Sequence, residues 1–67
     1  MKSLYVLWVY NHEGRHFSTA QFRGDRWEDC IPAVQEQFDY FDPEIKEIYL
    51  YQGGDLVKRF TSRPKNI

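Results

Sequence analysis

The chain holds a single cysteine, Cys30, so no disulfide can form within it. A domain of 67 residues must then be held by its core alone, near the size at which small folds begin to need covalent staples. A lone cysteine fits a reducing compartment, and on a helix it reads as a small buried apolar residue. Long apolar runs are missing too: no stretch reaches the roughly twenty residues of a membrane-crossing helix. Met1-Lys2 leads straight into an alternating strand, so no secretory leader is expected and the expected location is cytoplasmic. Neither sign of charge dominates, the formal net charge being −1. That balance argues against a strongly basic nucleic-acid binder and against an acidic mimic of DNA.

Histidine is scarce as well, yet both copies fall in one conspicuous stretch, His12-Glu13-Gly14-Arg15-His16. This matches H-E-x-x-H, in which two histidines one helical turn apart hold zinc and the glutamate activates its water. The chemistry needs a helix, so that both imidazoles leave one face. Here the five residues lie between two strand-like runs, with glycine at the centre. Asn11-His12-Glu13-Gly14 fits a type I turn, and Gly14 supplies the left-handed residue of a three-residue hairpin loop. A third histidine ligand would also be missing, because the chain has no other histidine. His12 and His16 are therefore read as a hairpin turn, and no metal is expected.

What is present is aromatic and β-branched. Ser3–Tyr10 and Arg15–Arg23 read as two strands joined by that turn. After Gly24, Asp25 with Glu28 reads as a capping box. Trp27, Ile31, Val34, Phe38 and Phe41 then recur at steps of four and three, one helical stripe. Pro32 fits only in a first turn, so Asp25–Asp29 is expected to be irregular or 3₁₀ and the helix to begin near Cys30. Asp42-Pro43 ends it. Glu44–Gln52 and Asp55–Thr61 form two more strands, with Gly53-Gly54 a two-residue hairpin turn. The expected fold is α+β: one small ββαββ domain over residues 1–61, its four-stranded, mainly antiparallel sheet carrying one helix on one face. Residues 62–67 are expected to be a frayed basic tail.

One helix covers one face of a sheet, and the aromatics exceed what one face needs. Counting from the turns pairs Tyr10 with His16, Trp8 with Ser18, Val6 with Ala20 and Leu4 with Phe22. In the second hairpin it pairs Leu50 with Val57 and Ile48 with Arg59. A helix on the Leu4, Val6, Trp8, Ile48 and Leu50 face leaves Tyr5, Phe17, Tyr49 and Tyr51 exposed, although the choice of face stays open. Exposed apolar patches of more than a few hundred Å² on soluble domains mark interaction sites, and tyrosine suits them, offering area with a polar handle. Tyr5, Phe17, Tyr49 and Tyr51, with Lys58 and Arg23 on the rim, are the expected contact residues.

The leading expectation is a non-enzymatic protein-binding module acting through this face, by self-association as a homodimer, or by strand addition. The alternative is single-stranded nucleic-acid binding, with the aromatics stacking bases and Arg23, Lys58 and Arg59 holding phosphates. The near-neutral charge and the absence of an RNA-recognition-motif signature in Asp55–Phe60 weigh against it. No enzyme activity and no cofactor are expected. Asp39, Asp42, Glu44 and Glu47 read as a solvated polar face, Ser18 and Ser62 have no placed base, and Gly53-Gly54 is no phosphate loop.

From Leu4 to Phe60 the layout resembles very small phage-encoded host inhibitors, anti-CRISPR proteins among them, in topology alone. The resemblance implies a protein that works in the host cytoplasm by occluding a defence or polymerase complex, and it carries over no functional residue.

Overall fold

The computed structural model describes residues 1–65. Strands β1 (Ser3–Asn11) and β2 (His16–Gly24) are followed by a 3₁₀ turn (Trp27–Cys30) that runs into helix α1 (Ile31–Phe41). Strands β3 (Ile45–Gln52) and β4 (Asp55–Phe60) complete an antiparallel sheet of order β2-β1-β3-β4. This is the ββαββ fold that the sequence implies, with both β2 and β4 at sheet edges. Among the described residues, no helix is long and apolar enough to cross a membrane.

The first turn forms as its residues dictate. The Gly14 N–H donates to the Asn11 carbonyl at 3.0 Å. The Asn11 side chain accepts from the Glu13 and Arg15 N–H groups, each at 3.0 Å. Gly14 takes φ 80°, which a side chain would resist. Pro32 lies in the first turn of α1, where its missing N–H costs nothing. The expected capping role of Asp25 falls instead to Asp29, whose carboxylate accepts from the Asp25 and Arg26 N–H groups at 3.2 and 3.4 Å. The 3₁₀ turn starts one residue later than the sequence pattern suggests, so its acceptor shifts as well.

The register differs from the one counted from the turns, because each outer pairing contains a bulge. In β2 the partners pass from Tyr10↔His16 to Val9↔Ser18, leaving Phe17 as the extra residue. In β4 they pass from Tyr51↔Leu56 to Leu50↔Lys58, leaving Val57 extra. One inserted residue moves the rest of a strand to the opposite face. Without these bulges, Arg59 would sit opposite Ile48, placing a charge in the core at several kcal/mol. With them, Phe60 takes that place and is 7% exposed. Likewise Ala20 and Phe22, rather than Thr19 and Gln21, come opposite Leu7 and Tyr5. Lys46 is a third such residue, between Glu47 and Ile45 in the pairing of β3 with β1.

The helix therefore packs on the odd-numbered residues of β1. Leu7 and Val9 are fully buried, Tyr5 is 3% exposed, and Ile48, Leu50, Val34, Phe38 and Cys30 close the core around them. The choice of face left open by the sequence thus goes against Leu4, Val6 and Trp8, which turn away from the helix. Gly24 is buried where β2 meets the 3₁₀ turn, and a Cβ there would lie 2.6 Å from the Phe22 ring. Two residues of the expected tail meet α1. Arg63 donates twice to Asp39, at 2.8 and 3.1 Å, and the Pro64 carbonyl accepts from Gln35 at 2.9 Å. The remainder of the expected tail, 66–67, lies outside the described residues.

Candidate functional site

The face of the sheet turned away from α1 has no covering element among the described residues. Its centre is built from alternate positions of the two inner strands: Val6, Trp8 and Tyr10 from β1, and Tyr49 and Tyr51 from β3. All five are half-buried, shielded by one another. Trp8 and His16 rings lie 4.4 Å apart, Tyr10 and His16 5.8 Å, and Tyr10 and Tyr49 5.0 Å, each pair tilted by 47–57°. The Arg59 guanidinium extends the row, 6.0 Å from the Tyr49 ring centre, and donates to Glu47 at 2.9 Å. Burial, then the neighbouring Tyr51, Tyr49 and Glu47, push the Tyr10 hydroxyl above its ordinary pKa. The phenol thus stays neutral in this row.

A groove of about 440 Å³ crosses this face, lined by Val6, Trp8, Tyr10, Tyr51, Gly53 and Gly54. The two glycines take φ 57° and 87°, as a hairpin turn matched to strand twist requires. Being without side chains, they leave the end of the groove low.

Of the expected contact residues, the structure brings Tyr49 and Tyr51 together on the open face and sets Arg23 at its β2 edge, opposite Leu4. Tyr5 is a correction: it lies in the core beneath the helix. Phe17 is another: it shares the face of Tyr5, Leu7 and Val9, which the helix covers, and its ring meets Phe41 edge-on at 4.9 Å. Lys58 belongs to the helix side as well, its ammonium 5.6 Å from the Trp27 ring centre. Trp8, Tyr10 and His16 were missed because the unbulged count set Ala20 and Phe22 opposite Val6 and Leu4, which made that face of β1 look like the core.

Charge is segregated along the chain in a way that net charge hides. Residues 25–44, which hold the 3₁₀ turn and helix, carry seven acidic side chains and one basic, a net −6. The rest of the chain carries three acidic and eight basic, a net +5. On the open face the only carboxylate in the strands' register is Glu47, and Arg59 neutralises it.

The larger cleft, about 650 Å³, lies on the opposite side, between the end of α1, the start of β3 and the tail. Its Asp39 is held by Arg63, which keeps the carboxyl below its ordinary pKa. An acid that stays ionised is a poor proton donor near neutrality. Glu47 is on the other face, so the acidic residues grouped in the sequence are not brought into one site. The two histidines diverge: His12 Nε2 lies 3.0 Å from the Pro43 carbonyl, while His16 Nε2 lies 2.6 Å from the Thr19 hydroxyl on the open face. They are not on a helix, and among the described residues no group of three or more His, Cys, Asp or Glu side chains is placed to hold a metal ion.

Against this geometry, no protein-family model, no curated protein and no solved structure gives a match to the chain.

Proposed function

We propose that the chain is a non-enzymatic protein-binding module whose docking surface is the open sheet face centred on Trp8, Tyr10, Tyr49 and Tyr51. The observation that carries this reading is the concentration of two residue types favoured in interface centres, Trp and Tyr, on the one sheet face left without a cover. An occluding inhibitor, as in the phage-encoded proteins whose layout the chain resembles, needs no more than such a surface. It acts by denying a host complex the surface it covers.

Nucleic acid is the weaker reading on this geometry. Base stacking needs free ring faces, but Tyr10 lies between His16 and Tyr49, and Arg59 sits against Tyr49. Arg59 is in addition committed to a carboxylate that repels phosphate.

The test compares wild type with the triple variant Trp8→Ser, Tyr49→Ser, Tyr51→Ser as baits in quantitative pull-downs. Expected is a set of proteins retained by wild type and lost by a variant whose circular dichroism and cooperative unfolding are intact. Equal retention by both, or retention of oligo-dT in a salt-sensitive manner, overturns the proposal.

A further inference from the structure

Resting on that reading, we infer that the groove beside Gly53-Gly54 takes an extended, acidic segment of the partner, anchored by one large apolar side chain. Three observations select this occupant. The groove is apolar, and its lining contains no charged residue, so what enters it must be apolar. Trp8, Tyr10 and Tyr51 form its walls and two glycines its end, leaving about 440 Å³ that a large side chain of the partner can enter. On the β2 side of this face the exposed charges are basic: Arg23, which makes no ion pair among the described residues, and Lys2 before β1. Asp55, next to Gly54, is paired opposite Gln52 in the register of the helix side. The acidic 25–44 segment lies behind the sheet, where Lys46, Lys58 and Arg63 offset part of its charge. An acidic segment is thus repelled from the helix side and drawn to the groove side.

A basic segment would meet the opposite field. A second copy of this chain would bring Arg23 against a face of its own sign, unless the copies were displaced by several residues. The acidic peptide is the occupant that satisfies both the lining and the rim.

The probe is a panel of fluorescent dodecapeptides with one central Trp, flanked by Asp and Glu, by Gly and Ser, or by Lys and Arg. Binding is read by anisotropy at low micromolar protein, with oligo-dT in parallel. The acidic peptide is expected to bind best, and Arg23→Glu to weaken it about tenfold. Gly53→Asn keeps the turn conformation but adds a side chain at the groove end, and is expected to weaken it as well. Preference for the basic or neutral peptide overturns this inference and leaves the protein-binding reading standing. Binding of oligo-dT with no peptide bound overturns both. Concentration-dependent dimerisation that Gly53→Asn abolishes assigns the groove to a second copy and overturns the acidic occupant.

Discussion

Leu7 and Trp8 are neighbours in sequence and face opposite layers. Leu7 is fully buried under α1 across from Leu50, and Trp8 lies half-buried on the open face, 4.4 Å from His16. Removing each side chain should therefore have different consequences. Leu7→Ala is expected to cost about 2–5 kcal/mol. That is most of the stability of a domain this small, of order 3–10 kcal/mol. Trp8→Ser should cost about 1 kcal/mol and leave the fold intact. Denaturant titration of both variants checks this, and the reverse order would put the even-numbered residues of β1 in the core.

Gly24 is a packing requirement, not a conformational one. An added Cβ would meet the Phe22 ring at 2.6 Å and the Asp29 Cβ at 3.1 Å, next to the carboxylate that caps the 3₁₀ turn. Gly24→Ala is expected to lose about 1–3 kcal/mol by overpacking. Gly53→Asn, at a φ that asparagine tolerates, should stay within about 1 kcal/mol of wild type. Thermal unfolding of the two variants side by side distinguishes the cases.

The Cys30 thiol is pushed up to about 11, by burial first and by Asp29 second. It should resist aromatic disulfide reagents in the native state and react fully in denaturant. Because its folded pKa is raised, the protonated thiol favours the folded state. That contribution is complete below the ordinary value of 9.0 and is lost as pH rises toward about 11. The stability of wild type should accordingly fall relative to Cys30→Ala across this interval. A constant difference would place the thiol in solvent.

Arg63 lowers the Asp39 pKa chiefly through its hydrogen bonds. A depressed carboxylate pKa stabilises the fold above the ordinary range and ceases to do so as pH falls through the folded value. Arg63→Ala should raise the Asp39 titration toward 3.8, read by carboxyl carbon chemical shifts. An unchanged titration would detach the tail from the helix.

The elements were legible because each has local punctuation: Asn11 and Gly14 for the first turn, Pro32 and Pro43 for the helix, Gly53-Gly54 for the second turn. The candidate face was half legible. Tyr49 and Tyr51 kept their expected face because the Val57 bulge displaces β4 and not β3. Trp8 and Tyr10 were exchanged for Tyr5 and Phe17 when the even-numbered face of β1 was given to the helix. Counting from a turn assumes uninterrupted pairing, and a bulge makes that count wrong for every residue beyond it. A signal for the bulges was present in the mismatch of phases. Tyr5, Leu7 and Val9 needed apolar partners, and only a one-residue insertion brings Ala20 and Phe22 opposite them. Arg59 next to Phe60 posed the same conflict against Ile48. The charge asymmetry was legible too, once the chain was counted in segments.

The most direct test of the docking face is amide chemical-shift mapping of the labelled protein as the acidic Trp dodecapeptide is added. Perturbation centred on Val6, Trp8, Tyr51, Gly53 and Gly54 is the predicted result. Perturbation centred on Asp39, Lys46 and Arg63, on the helix side, would contradict the account.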